Sequence, residues 1–167
     1  MDFSERGKNP EQQAAVIVLY ERASDSLILT QRSANLRNHP SEICFPGGKW
    51  EQGDANLYET ALRELQEELG ISSQRVQLIR PMTPERTLTG YIIHPWLSSI
   101  ETIAPYSIDN NEVSDIFSLS MNDVSKASNY QEIMVSRFGF SIKSYQYTAT
   151  PHFVWGATAR IMMQLIR

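Results

Sequence analysis

Three glutamates in one predicted helix have the residue type and spacing that could perform chemistry. Glu64, Glu67 and Glu68 are three and four residues apart, so a helix places them on one face. Like charges at this spacing repel, and carboxylates in the last turns of a helix also oppose its dipole. A solvated acidic face is the simpler alternative. A hard divalent cation such as Mg²⁺, bound by carboxylate oxygens together with substrate phosphates, accounts better for the cluster.

The elements around the glutamates predict how they are held. Apolar residues at helical spacing indicate one buried face, made of Tyr58, Ala61, Leu62, Leu65 and Leu69. Asp54 is the predicted N-cap of this helix, and Gly70 is suited to a left-handed C-terminal cap. Just upstream, Gly47 and Gly48 permit a close approach of the backbone.

The segment from Gly48 to Ile71 resembles the Nudix box, the signature of Nudix hydrolases. The family form is G-x5-E-x7-R-E-U-x-E-E-x-G-U, where U is a bulky apolar residue. The second half, which begins at Arg63 and ends at Ile71, matches at every fixed position. The first half is one residue longer than the general spacing, and Asp54 lies near the position of the missing upstream glutamate. That longer spacing resembles the coenzyme A pyrophosphatases, a subfamily.

The preceding segment, residues 28–48, is similar to a further motif of that subfamily, L-L-T-x-R-S/A-x3-R-x3-G-x3-F-P-G-G. It has one conservative change, and Ser41 stands where the family has glycine. The family uses this motif in substrate recognition, so the resemblance implies that Arg32, Arg37 and Gly47 bind substrate. Arginine is suited to this role because it binds phosphate through two parallel hydrogen bonds.

The resemblance implies metal-dependent hydrolysis of the pyrophosphate bond of coenzyme A or its thioesters. The products would be 3′,5′-ADP and 4′-phosphopantetheine or its acyl form. The implied ligands of Mg²⁺ or Mn²⁺ are Glu64, Glu67 and Glu68, joined by the Gly48 carbonyl. The catalytic base is Glu67 or Glu112, and the sequence leaves this choice open. Two alternatives remain: a Nudix pyrophosphatase for another conjugate such as ADP-ribose, and a catalytically silent module that binds a nucleotide.

Composition limits the classes of partner. The 167 residues carry a net charge of −4, which gives no electrostatic reason to expect nucleic acid or an anionic membrane. We expect a small-molecule substrate, a cytoplasmic protein without a signal peptide, and a possible homodimer. Cys44 is the single cysteine, so an internal disulfide is excluded, and its apolar neighbours predict a buried structural thiol.

The whole chain is predicted to be one domain, 1–167, with a flexible N-terminus at 1–11. The fold class is α/β (α+β): the resemblance implies the Nudix-type α/β/α sandwich, a mixed β-sheet with flanking helices. Predicted strands cover 12–20, 27–32, 75–79, 92–100, 112–119, 133–140 and 141–148, and the later predicted helices cover 121–127 and 151–167. Pro95 indicates an edge strand or a bulge. Phe153 and Trp155 could stack on an adenine, but we expect them to pack in the core.

Overall fold

The structure is a computed structural model that describes residues 12–167. The predicted flexible N-terminus, 1–11, lies outside the described residues. In chain order the elements are β1 (Gln13–Glu21), β2 (Ser26–Arg32), β3 (Ile43–Cys44), β4 (Gly47–Lys49), α1 (Leu57–Leu69), β5 (Gln77–Pro81), β6 (Glu85–Arg86), β7 (Ile92–Ile100), β8 (Val113–Ser120), α2 (Met121–Val124), β9 (Tyr130–Arg137), β10 (Phe140–Tyr147), β11 (Val154–Trp155) and α3 (Gly156–Met163).

The main sheet is mixed and is built around β1. Its strands follow the order β3-β2-β1-β7-β5, with β4 paired to β1, β6 to β7 and β8 to β2. β1 runs parallel to β7 along its whole length and antiparallel to β2 and β4. A second sheet has the order β11-β10-β9. Within residues 12–167, no helix is long and apolar enough to cross a membrane.

The two faces of the main sheet are covered by different elements. Successive side chains of a strand point to opposite faces, so β1 contributes to two cores. Ile17 and Leu19 pack with Leu65 of α1 in one core, whereas Val18 packs with Ile161 of α3 in the other. This arrangement confirms the predicted sandwich of a mixed sheet between helices.

Helix α1 starts and ends through two different caps. Asn56, not the predicted Asp54, is its N-cap, and the Asn56 side-chain oxygen accepts a hydrogen bond of 2.9 Å from the Glu59 amide. Asp54 is directed toward Arg63 instead, which removes it from the capping position. Gly70 ends the helix in the predicted left-handed conformation, with φ of 63°.

Two other predictions from sequence need correction. Pro95 does not mark an edge strand, because β7 pairs with β1 on one side and with β5 and β6 on the other. The register irregularity of the β5–β7 pair lies in the partner strand β5, between Leu78 and Arg80. The proline, which has no amide hydrogen, lies between the residues that pair with β5 and those that pair with β6. The last helix spans Gly156–Met163 instead of 151–167, because Val154 and Trp155 are extended and pair with β10.

Candidate active site

Close contact between α1 and the glycine turn creates the site. A Cβ atom added to Gly48 would lie 2.5 Å from the carboxyl carbon of Glu64, and one added to Gly47 would lie 2.3 Å from the Ala15 carbonyl oxygen. Both distances are shorter than heavy atoms tolerate. The two glycines therefore let β4 press against β1 on one side and let the Glu64 carboxylate meet the backbone on the other.

Arg63 connects the acidic groups on the outer side of α1. Its Nε and Nη2 atoms donate to the two carboxylate oxygens of Asp54 at 2.9 and 3.1 Å, the bidentate geometry that arginine favours. Its Nη1 donates to Glu64 at 3.0 Å and to Glu67 at 3.3 Å. The Arg63 guanidinium holds the pKa of Asp54 down at about 2. Arg63 thus fixes the orientation of the Glu64 carboxylate.

Glu64 and Glu68 are carboxylates in poorly hydrated positions. Glu68 is 5% exposed, and the Glu64 side chain is 13% exposed. Burial raises the pKa of Glu64 to about 7 against the opposing effect of Arg63, and the Glu67 and Glu112 charges add to the rise. Burial also raises the pKa of Glu68 well above its usual value, with further contributions from Glu64 and Glu112. The Gly47 amide is the hydrogen-bond donor that opposes this rise in Glu68.

Glu112, in the loop before β8, lies close enough to Glu64 and Glu68 of α1 for its charge to raise the pKa of both carboxyls. Glu67 is placed differently: its side chain is 54% exposed and it contacts Arg63. Within residues 12–167, no three Asp, Glu, His or Cys side chains form a ready-made metal cage. Mg²⁺ does not require one, since it is commonly held by one or two carboxylates plus waters and substrate phosphates.

The donor set fits a hard divalent cation on chemical grounds. Every side chain in the cluster offers carboxylate oxygens, and the cluster lies against the backbone of Gly48. Two of the carboxylates are buried with no positive partner that restores their usual pKa. A bound cation would supply the missing charge, and Glu64 and Glu68 are the best-placed ligands.

The two arginines of the predicted substrate motif differ in their contacts. Arg32 donates to the carbonyl oxygens of His39 and Asn38 at 3.2 and 3.1 Å, so it holds the loop at residues 33–42. Arg32 is also close enough to Glu68 to lower its pKa. Arg37 is exposed and makes no hydrogen bond or ion pair with the described part of the chain. Ser41 adopts φ of 61°, the conformation for which a glycine is expected there.

Two side chains near the site have roles that the sequence did not reveal. Asp54 is an ion-pair partner of Arg63, and its only signal in the sequence was its place near the missing upstream glutamate of the Nudix box. Phe153 is 54% exposed rather than buried, and it stacks on Trp155. The signal for this pair was the spacing of two, which places both side chains on one side of an extended segment. Cys44 is partly buried rather than fully buried, and burial raises its pKa to about 11, which suits an inert thiol.

Comparison with known proteins identifies the family. The NUDIX domain model matches residues 10–137 of the chain. A Citrobacter koseri protein named "Uncharacterized Nudix hydrolase NudL" is 34% identical over 157 residues, which cover 94% of this chain and 82% of that protein. A Salmonella paratyphi B protein of the same name has the same identity and coverage.

Solved structures share the fold at lower identity. DR0079 from Deinococcus radiodurans aligns with a TM-score of 0.63 and 14% identity, covering 100% of this chain and 91% of that chain. The Ap4A hydrolase of C. elegans, solved as a binary complex, gives 0.55 and 18%, covering 65% and 80%. The Nudix domain of Shewanella oneidensis NrtR, solved with ADP ribose, gives 0.53 and 20%, covering 74% and 86%. On the family match and the identity to its relatives, this chain belongs to the Nudix hydrolase family.

Proposed function

We propose that this Nudix hydrolase cleaves the pyrophosphate bond of coenzyme A or its thioesters, giving 3′,5′-ADP and 4′-phosphopantetheine or its acyl form. Nudix hydrolases act on nucleoside diphosphate derivatives, so the proposal concerns which derivative is used. The observation that carries it is the loop at residues 33–42, whose sequence resembles the subfamily motif. Arg32 anchors this loop by two hydrogen bonds, and the same guanidinium acts on the buried carboxylate of Glu68.

The residues of the site suit this reaction. We assign Glu64, Glu67, Glu68 and the Gly48 carbonyl as ligands for Mg²⁺ or Mn²⁺. When bound, such an ion neutralises the diphosphate oxygens and lowers the pKa of a coordinated water. Arg63 orients Glu64, because its Nε and Nη2 atoms are held by Asp54 while its Nη1 atom donates to the Glu64 carboxylate.

The base that removes the proton from the attacking water is Glu67 or Glu112. Glu112 acts electrostatically on both Glu64 and Glu68, whereas Glu67, which is exposed and reaches Arg63, acts on Glu64. A base must come within hydrogen-bond distance of the water, directly or through one more water. Replacing each with glutamine and comparing kcat with metal affinity would separate the roles, since the base affects kcat at saturating metal.

ADP-ribose is the second candidate substrate. It shares the adenosine diphosphate group with coenzyme A but lacks the 3′-phosphate. Its binding site therefore needs fewer positively charged side chains. Arg32 already binds two loop carbonyls, which leaves Arg37 as the motif arginine without a described partner. A site with one such arginine does not require a third phosphate on its substrate. A third candidate, a catalytically silent nucleotide-binding module, would leave every conjugate intact.

The test is a hydrolysis screen with coenzyme A, an acyl-coenzyme A, dephospho-coenzyme A and ADP-ribose, followed by mass spectrometry of the products. We expect coenzyme A or its thioester to be cut with the highest kcat/KM, and the metal-free enzyme to be inactive. A higher kcat/KM for ADP-ribose would replace the proposal with the second candidate. Binding of nucleotide without turnover at saturating Mg²⁺ and Mn²⁺ would favour the silent module.

The homodimer and the cytoplasmic location remain predictions. Light scattering on the purified protein would measure its mass against the 19.1 kDa of one chain. Fractionation of the cells that produce it would give its location.

A further inference from the structure

A groove of about 180 Å³ lies beside β3, the short strand that pairs with the end of β2. One of its walls is the loop at residues 40–43, and the other is the extended segment at residues 152–155. The first wall belongs to the loop that Arg32 anchors and that carries Arg37. The groove is therefore built partly from the segment that resembles a substrate-recognition motif.

Two aromatic rings give the groove a flat apolar surface. Phe153 and Trp155 are stacked with ring centroids 5.7 Å apart and planes 21° apart, and Phe153 is 54% exposed. The Arg137 guanidinium lies 5.4 Å from the centroid of the Trp155 ring. One exposed phenylalanine is unremarkable, but a stacked pair beside a cation and inside a concavity matches the way proteins bind planar ring systems.

The polar lining indicates which planar ring fits. Gln31, Glu42 and His152 also line the groove. Each already has a partner in the protein: the Gln31 side-chain nitrogen donates to the Ser41 carbonyl, the Glu42 carboxylate pairs with His39 and Arg137, and the His152 ring stacks on Phe117. An amide oxygen, a carboxylate and an imidazole keep further hydrogen-bonding capacity beyond these contacts. A nucleobase has hydrogen-bond donors and acceptors around its edge that such groups can meet, together with π-faces for Phe153. An acyl chain or the pantetheine arm could bury apolar surface against the rings, but it has no planar surface to stack on them.

The groove is close to the catalytic cluster. Ile43 lines the groove, and Gly47 contacts Glu68 through its amide. Gly47 is four positions after Ile43, so the Cα atoms of the two residues are at most about 14 Å apart even when the chain is fully extended. An adenosine 5′-diphosphate group can span this separation. A base in the groove would thus leave its diphosphate beside the carboxylates of α1.

We propose that this groove binds the adenine ring of the substrate, with the base stacked on Phe153. The proposal rests on the proposed function, because it takes the substrate to be an adenine nucleotide conjugate such as coenzyme A. Phe153 is then a binding residue for the half of the substrate that leaves as 3′,5′-ADP, and it has no contact with the half that leaves as 4′-phosphopantetheine.

The test measures binding by calorimetry and needs no turnover. The probes are 3′,5′-ADP, ADP and 4′-phosphopantetheine. Phe153→Ala should weaken both nucleotides by about tenfold, the usual loss when one stacked ring is removed, and should leave 4′-phosphopantetheine unchanged. Phe153→Tyr keeps a ring and should retain the affinity of the wild type. Ile79→Ala is the matched control, because Ile79 is 52% exposed on β5, which is separated from β3 by β2, β1 and β7.

The outcomes separate this inference from the proposed function. An unchanged nucleotide affinity in Phe153→Ala would overturn the inference even if the wild type hydrolyses coenzyme A. Equal losses for the nucleotides and for 4′-phosphopantetheine would overturn it as well, and so would a wild type that binds neither nucleotide. If Phe153→Ala weakens only the nucleotides while the wild type leaves coenzyme A intact, the adenine site stands and the proposed function fails.

Discussion

Glu64→Gln should stabilise the metal-free protein at neutral pH while abolishing its activity. The Glu64 carboxyl has a pKa raised from 4.5 to about 7 in the folded protein, chiefly by burial. A raised pKa means that the folded state holds its proton more tightly than the unfolded state does. The free energy of unfolding therefore falls as pH rises from 4.5 to 7, and it stays at the lower level above 7.

The size of the effect follows from the pKa difference, because each pKa unit corresponds to 1.36 kcal/mol. The pKa of Glu64 is 4.5 in the unfolded chain and about 7 in the folded protein. Ionising Glu64 therefore costs the folded state about 3 kcal/mol at pH 8 and about 1 kcal/mol at pH 5. The Glu64 side chain is 13% exposed, so solvent screens this cost little. Glutamine preserves the shape and can still accept from Arg63, but it carries no charge.

The assay is urea unfolding of the wild type and Glu64→Gln at pH 5 and pH 8, in the presence of a chelator. We expect the stabilisation by the variant to be larger at pH 8 by about 2 kcal/mol. Glu59→Gln is the matched control, since Glu59 is exposed on the same helix and is not among the charges that shift the pKa of Glu64. A Glu64→Gln protein that is less stable than the wild type at pH 8 would refute the reasoning.

Three further outcomes are expected. Glu67→Gln should lower kcat by about 10²-fold or more at saturating Mg²⁺, while calorimetry should show an unchanged thermal unfolding temperature. A kcat like that of the wild type would remove Glu67 from the site. Gly48→Ala should weaken activation by Mg²⁺, because the new Cβ would lie 2.5 Å from the Glu64 carboxyl carbon, and a metal titration with an unchanged midpoint would contradict this. Arg37→Ala should raise KM for coenzyme A about tenfold or more with little change in kcat, and should affect dephospho-coenzyme A less if Arg37 binds the 3′-phosphate; equal KM changes would show that it does not.

The parts of the fold with a strong periodic pattern were predictable from the sequence. The period of 3.6 predicted the buried face of α1, and Leu65 and Leu69 are indeed fully buried. The strands β1 and β2 were predictable from their runs of apolar residues, and the left-handed cap at Gly70 from its place after the helix, because each of these signals depends on neighbours in the chain. The Nudix box, which includes α1, indicated the family from the sequence alone.

Features that depend on distant contacts were not predictable. Asp54 has the right chemistry for an N-cap, but its bidentate ion pair with Arg63 leaves that role to Asn56. Pro95 lacks an amide hydrogen, which usually favours an edge strand, yet an interruption between β5 and β6 accommodates it in the interior. Phe153 has a core-forming side chain, and its exposure follows from the pairing of β11 with β10, which no local pattern specifies.

The electrostatics of the site argue that it is built for a cation that the protein itself does not supply. Arg63 is the cation in contact with Glu64, but both oxygens of Asp54 already engage it. Arg32 acts on Glu68 from a position where its own hydrogen bonds go to loop carbonyls. The negative charge on α1 therefore stays locally unbalanced, whatever the net charge of the chain. A divalent ion that balances it would bind the folded protein better than the unfolded chain, so saturating Mg²⁺ should raise the unfolding temperature of the wild type and raise that of Glu64→Gln much less.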